Sequence, residues 1–368
     1  MNPSASPVLE AGHPVTSDAL HGLREAATVP GFPQAGLDVL RQSGLWRAGL
    51  SVEDGGPLAA GPELLRLMRR VGRASLPLGR LYEGHVNALA LISAYGSPEQ
   101  RARAAGDAAA GRLFGVWNTE GPDGVRLTGD GLDLHGAKTF ASGGLRVTRP
   151  LLPVDAPQGR QLVLLRTEDP ASRVALIPDS WQPLGMEGTE SVKLEFSGTR
   201  LQPDDLIGQG GDYYRQPMFS AGALRFCAVQ LGGADTLLAE TRSYLQSLGR
   251  AGDEVQLLRF AEVWLALQAA GHSVAKGAQL EQGDLSVPGA EARLLAQVDA
   301  ARLATENACL ALLEASERAV GARGLLEPWP FARLIRDLRM YLRQPAPDAA
   351  RLRLGRWVLE GAGSGLDD

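Results

Sequence analysis

The sequence predicts a mainly helical α+β protein with an N-terminal helical domain, a middle β domain and a C-terminal helical bundle. Three observations predict it. Apolar residues recur at three- and four-residue spacing up to about residue 110. Short apolar runs alternate with Gly, Asp and Pro clusters from 111 to 206, and helical spacing returns from 207. The 368 residues, 44% of them hydrophobic, supply core for one large or two to three ordinary domains.

Residues 1–17 are polar, Pro-containing and aperiodic, and read as a loose N-terminal arm. The helical domain spans 18–110, where Leu64, Leu65, Met68 and Val71 form a stripe and Pro62 suits a first helical turn. Gly55-Gly56-Pro57 breaks the pattern. In the β domain, 111–206, the strand-like runs are Leu113–Trp117, Gln161–Arg166, Val174–Ile177 and Val192–Phe196. The C-terminal region, 207–368, carries one stripe of Leu257, Phe260, Ala261, Trp264 and Leu267. A second comprises Leu295, Val298, Ala301, Thr305, Ala308 and Leu312. Both stripes read as bundle core, with the break between two long helices at Gly283 and Pro288.

Composition excludes several classes. Against 42 acidic residues stand 37 basic ones, a formal net charge of −5, which argues against a dedicated nucleic-acid binder. Lys138, Lys193 and Lys276 are the only lysines, and that bias toward arginine reads as genomic habit. Cys227 and Cys309 lie in apolar helical contexts without metal-like spacing. The five histidines (His13, His21, His85, His135, His272) form no H-x-x-x-H pair, so neither a disulfide framework nor a metal site is expected. No apolar run approaches the roughly 18 residues of a membrane span, and no signal-like segment opens the chain, so a cytoplasmic protein is expected.

Several local patterns occur in an order that resembles the acyl-CoA dehydrogenase superfamily of flavoproteins. Gly44-Leu45 and Glu53-Asp54-Gly55-Gly56 are similar to that family's early "GL…P…GG". Thr119-Glu120 resembles its "TE", and Gly136-Ala137-Lys138-Thr139-Phe140-Ala141-Ser142-Gly143 its "G-x-K-x-W/F-x-T/S-x-G". The stretch Leu184-Gly185-Met186 to Ser191, then Phe196 and Pro203 to Gly208, follows the pattern that closes the β domain. Gly321-Ala322-Arg323-Gly324 and Arg333-Leu334-Ile335-Arg336-Asp337 resemble "G-G-x-G…R-D". Together these motifs cover residues from about 40 to 345.

The resemblance implies a barrel-like β domain, a C-terminal four-helix bundle and FAD bound between them, in a homodimer or homotetramer whose subunits share cofactor contacts. Trp117, Asn118 and Thr119 match the strand whose backbone and Thr meet the flavin ring. Phe140, Ala141 and Ser142 match a second strand that offers an aromatic and a hydroxyl. An isoalloxazine suits an apolar wall with a few donors at its reactive edge. Arg318 and Arg323 are the candidates for the phosphate side, because guanidinium binds phosphate bidentately.

The chain also departs from the pattern. The catalytic Glu of most members follows "R-D-x-x-x-Y", and here Arg336-Asp337-Leu338-Arg339-Met340-Tyr341 leads to Pro345 at that position. Proline accepts no proton. Other members carry the base early in the first bundle helix beside an Arg, yet Phe219 to Phe226, which includes Arg225, holds no carboxylate. Asp348 is the nearest substitute, three residues late, and reads as a cap or turn residue. Val125 replaces the phosphate-binding Ser, and the Arg donated across the dimer falls at Leu245, with Arg250 nearby.

The expected activity is therefore a flavin-dependent oxidoreductase of this superfamily, outside standard α,β-dehydrogenation. Its substrate is a small molecule, with acyl-CoA a candidate. Two alternatives stand beside it: an FADH2-dependent monooxygenase of the same fold, which needs no carboxylate base, and a non-catalytic binding or assembly protein. Between Arg318 and Arg356 nine arginines face three acids, which marks that stretch as a candidate anion-binding surface.

Overall fold

The structure, a computed structural model, describes residues 22–23, 31–58, 61–343 and 346–360. The arm at 1–17, His13, His21 and Pro345 lie outside the described residues. Helix α1 (Gln34–Gln42) and a 3-10 turn (Leu45–Arg47) precede three longer helices, each opened by a start signal. Pro62 stands in the first turn of α2 (Pro62–Ala74), and Leu64, Leu65, Met68 and Val71 are buried. The Ser75 hydroxyl caps α3 (Leu76–Tyr95) by accepting from Leu78 N. A reciprocal Ser97/Gln100 capping box starts α4 (Pro98–Ala109). Buried Gln100 also donates to the carbonyls of Asp204, at 3.0 Å, and Leu206, at 2.8 Å, joining α4 to the end of the β region.

Ten short strands follow: β1 (Phe114–Val116), β2 (Arg126–Thr128), β3 (Asp133–His135), β4 (Ala137–Ala141), β5 (Arg149–Ala156), β6 (Gly159–Leu164), β7 (Ala175–Ile177), β8 (Val192–Glu195), β9 (Thr199–Arg200) and β10 (Leu206–Ile207). Seven make one sheet in the order β10-β6-β5-β2-β3-β9, with β1 pairing parallel to β5. Its centre is the antiparallel β5–β6 hairpin, where Leu151, Leu152, Val154, Leu162 and Val163 are buried, as in a strand pair covered on both faces. The other three strands form a smaller sheet, β4-β8-β7.

The chain then turns helical again: α5 (Met218–Ala221), α6 (Ala223–Ser247), α7 (Glu254–Glu281), α8 (Ala290–Gly324), α9 (Phe331–Tyr341) and α10 (Pro347–Leu359). Helix α6 crosses α2 at backbone contact. A Cβ on Gly72 would overlap the Val229 carbonyl, and one on Gly232 the Arg69 carbonyl, so glycine at both positions permits the close crossing. In α8, Gly321 takes φ 60° and breaks the helix between Arg318 and Arg323.

One of the two predicted core stripes is not core. In α8, Val298, Ala301, Thr305, Ala308 and Leu312 are buried, as expected. In α7 the buried face is Val263, Leu267, Ala270 and Val274, whereas Trp264 is 53% exposed and Leu257 and Ala261 also face outward. The helix has two apolar faces, and periodicity alone does not say which one points inward. The outer face and α6 border a cavity of about 570 Å³ that includes Leu238, Leu245, Leu257, Phe260 and Trp264. Among the described residues no helix is long and apolar enough to cross a membrane.

Candidate functional site

The residues expected to meet a flavin ring come together at the ends of β1 and β4. The register between β4 and β8 slips by one residue between Lys138 and Ala141, so β4 carries a bulge. Phe140 occupies it in the left-handed region, φ 53°, and the bulge turns its ring outward to 53% exposure, edge-on to Trp181 with centroids 6.0 Å apart. Ala141 and Ser142 point inward and are buried. The Ser142 hydroxyl lies 2.9 Å from that of Ser191, which is 2.7 Å from Thr189 Oγ1.

From the β1 side, Trp117 buries its indole behind the wall and donates to the Ser142 carbonyl at 3.0 Å. Its ring therefore braces the wall from within. Thr119 is exposed, with its carbonyl accepting from Thr139 N at 2.9 Å. Asn118, half-buried between them, holds a buried Oδ1 without a hydrogen-bond partner among the described residues. Such an orphan needs explanation, and a ligand N–H aimed at it supplies one. An apolar wall, a hydroxyl and a free amide fit a flavin ring by the chemistry of their atoms.

Lys138 holds this wall from behind. Its side chain is fully buried, and the ammonium donates to the Pro153 carbonyl at 2.5 Å and to Glu120 Oε2 at 3.3 Å, with the Asn118 carbonyl at 3.5 Å. Burial pushes the amine down to about 8, with the Glu120 carboxylate opposing. Glu120 also accepts from Val125 N at 2.9 Å and from Arg160. Val125 at the phosphate-Ser position is thus fully buried with its N–H in use, and meets no pyrophosphate. The sequence signal for Lys138 was its survival as one of three lysines in an arginine-rich chain.

On the helix packed against β1, and on its neighbours, lies a string of largely buried charge. Arg80 and Glu83 are the only formally charged residues of α3, an otherwise apolar helix, and that contrast was their sequence signal. Arg80 and Asn87 both donate to Glu83, and Arg225 of α6 donates to Asn87. Arg225 Nη1 lies 3.9 Å from Glu281 Oε1, at the end of α7. Burial pushes the Glu281 carboxyl upward, with Arg225 opposing. The Arg beside which some family members carry their base therefore does have a carboxylate neighbour, supplied from 56 positions further along. Local sequence could not show this.

His85 joins the two sides. Its Nδ1 accepts from Phe114 N of β1 at 3.1 Å, so Nε2 carries the proton and donates to the Trp46 carbonyl at 2.6 Å. Burial pushes this imidazole down to about 3. Two motifs that looked independent also dock. Asp337 of α9 accepts from Met186 N at 2.6 Å, and a Cβ on Gly185 would overlap the Arg336 carbonyl. Burial raises the Asp337 carboxyl, with the Met186 N–H opposing.

The other named residues lie apart. Asp348 is 92% exposed in the first turn of α10 and pairs with Arg351 at 3.2 Å. Arg318 is exposed and pairs with Glu314 at 2.5 Å, Arg323 is exposed beyond the Gly321 break, and Arg250 pairs with Asp253 at 3.0 Å. Leu245 is buried. The C-terminal arginines are largely neutralised by acids of α8 that precede the counted stretch. Arg339 pairs with Glu317, Arg343 and Arg351 with Glu306, and Arg353 with Asp299. Among the described residues no group of three His, Cys, Asp or Glu is arranged to hold a metal ion.

No protein-family model matches the chain. It is 26% identical over 357 residues to a dibenzothiophene monooxygenase of Mycolicibacterium goodii, covering 87% of this chain and 86% of that one. Among solved structures, the complex of TdsC from Paenibacillus sp. A11-2 with FMN and indole superposes with a TM-score of 0.81 at 25% identity, covering 93% of this chain and 94% of that one. The methanesulfinate monooxygenase MsuC from Pseudomonas fluorescens superposes with a TM-score of 0.79 at 21% identity, over 93% and 94% of the two chains. The chain has an acyl-CoA dehydrogenase-like fold.

Proposed function

We propose that the protein is a flavin-dependent monooxygenase. The observation that carries this reading is the orphaned Asn118 amide oxygen and the Ser142 hydroxyl on neighbouring segments, together with a 342–348 sequence whose single carboxylate, Asp348, is exposed. Reduced flavin supplies two electrons to O2, so that one oxygen atom enters the substrate and the other leaves as water. That chemistry needs no base on the substrate's α carbon. Phe140 presents an apolar surface, Ser142 and Asn118 supply polar contacts, and Lys138 fixes the strand ends that carry them. FMN is preferred to FAD, because buried Val125 replaces the phosphate Ser and Arg318 is already paired. The monooxygenase relative and the FMN-bound neighbour support the reading.

In the same reading the two sheets form the barrel-like middle domain and the C-terminal helices the four-helix bundle of the family. The protein is a cytoplasmic homodimer or homotetramer, and the exposed apolar face of α7 is where copies meet. Anaerobic addition of an acyl-CoA to FMN-loaded protein tests the activity. Unchanged flavin absorbance, together with substrate-accelerated reoxidation of reduced flavin in air, is expected. Bleaching by acyl-CoA at ordinary rates would instead establish a dehydrogenase, with Glu281 the first residue to test as its base.

A further inference from the structure

We propose that the reaction site selects a small substrate bearing an oxyanion (a carboxylate, sulfinate or sulfonate) and holds that group between Arg80 and Arg225. The proposal rests on the monooxygenase reading and narrows its substrate class.

A guanidinium offers five N–H donors in a fixed fork. Arg80 spends Nη1 on Glu83, and Arg225 spends Nε on Asn87. Glu281 stands 3.9 Å from Arg225, an ion pair but too far for a hydrogen bond. The remaining N–H groups of both arginines have no protein acceptor among the described residues. Glu83 accepts one hydrogen bond on each oxygen, from Arg80 and from Asn87.

Position gives these donors a use. Tyr213 and Tyr341 lie near enough to Arg80 to act on its charge, and a Cβ on Gly84 would lie 3.7 Å from Arg80 Nη1 and 3.9 Å from Val116 N of β1. Yet the Arg80 side chain keeps 26% of its surface open, so it is not sealed in dry core. Val116 leads into Trp117 and Asn118 of the wall, so Arg80 stands close to the strand that carries the orphaned Asn118 oxygen.

Asn87 and Glu83 link the two guanidinium groups and fix their spacing without consuming their forks. A carboxylate or sulfinate presents two oxygens that match such forks, whereas a fused aromatic offers these donors no acceptor. The predicted selectivity thus differs from the substrate in the name of the Mycolicibacterium goodii relative.

The test begins with FMN uptake by the wild-type protein, followed by titration with sodium methanesulfinate, sodium benzoate and dibenzothiophene. Calorimetry and the flavin spectrum are both read. At least one anion should bind and dibenzothiophene should not. Arg80→Met and Arg225→Met should each weaken the anion at least tenfold without changing FMN affinity. Because Arg225→Met strands Glu281, the double variant Arg225→Met/Glu281→Gln, with no stranded charge, must show the same loss, and Arg225→Lys should recover part of it. Anion binding that ignores both arginines, or tight binding of dibenzothiophene with no anion bound, overturns the proposal. Failure of FMN uptake overturns the monooxygenase reading instead, and calorimetry on the flavin-free protein then decides the anion question by itself.

Discussion

The wall and the charged string are built in opposite ways. The wall comes from two short segments, 117–120 and 138–142, whose residues are neighbours in sequence and whose geometry is set by one bulge and one buried lysine. The string comes from Arg80, Glu83, Asn87, Arg225 and Glu281, five residues on three helices that only packing brings together. The wall is thus written locally. The string is written across the fold, where charge can be rearranged without touching the wall.

Lys138→Met probes the wall at its most buried point. The Lys138 side chain is wholly buried, and its removal takes a donor from the Pro153 carbonyl and one partner from Glu120, which keeps Arg160 and Val125 N, so the cost should be about 1–3 kcal/mol. Urea unfolding should show that drop, together with weakened FMN uptake. A change below about 1 kcal/mol would mean the wall holds itself up without its ion pair.

The joint between the two regions should respond to acid. His85 sits at about 3 in the folded protein against an unfolded value near 6.5, so between those values the unfolded chain holds more protons. Stability therefore falls as pH drops below about 6.5, by up to ~1.4 kcal/mol per pH unit from this group. Melting temperature followed from pH 7 to pH 5 checks this. His85→Gln should flatten the slope, and an equal slope in that variant would place the acid sensitivity elsewhere.

The smallest effect is expected at Arg318. Its pair with Glu314 is exposed, so Arg318→Ala should change stability by less than ~0.5 kcal/mol and leave FMN affinity unchanged. A measurable loss of FMN affinity would restore the arginine to the cofactor site and extend that site beyond the wall.

Much of the fold was legible because its signals are local. Pro62, the Ser97/Gln100 box and the strand runs each mark an element within a few residues. Phe140, Ala141 and Ser142 sit inside one motif, and the structure keeps them together at one strand end. What failed was whatever needed a partner. The α7 stripe was apolar on two faces, and only packing against α6 and α8 chose between them. The nine C-terminal arginines looked unbalanced because Asp299, Glu306, Glu314 and Glu317 lie just before the counted stretch, on the helix those arginines pair with. Glu281 was invisible as a neighbour of Arg225 because a whole helix separates them in sequence.

The central claim, that the wall of Asn118 and Ser142 faces a flavin, is tested most directly by spectroscopic FMN titration of wild-type protein and Asn118→Leu. Wild type should bind and perturb the visible flavin bands, and the variant should lose at least tenfold in affinity. Its stability should be unchanged, because Asn118 Oδ1 has no protein partner among the described residues to lose. No FMN uptake by wild type, or equal affinity in the variant, would contradict the account.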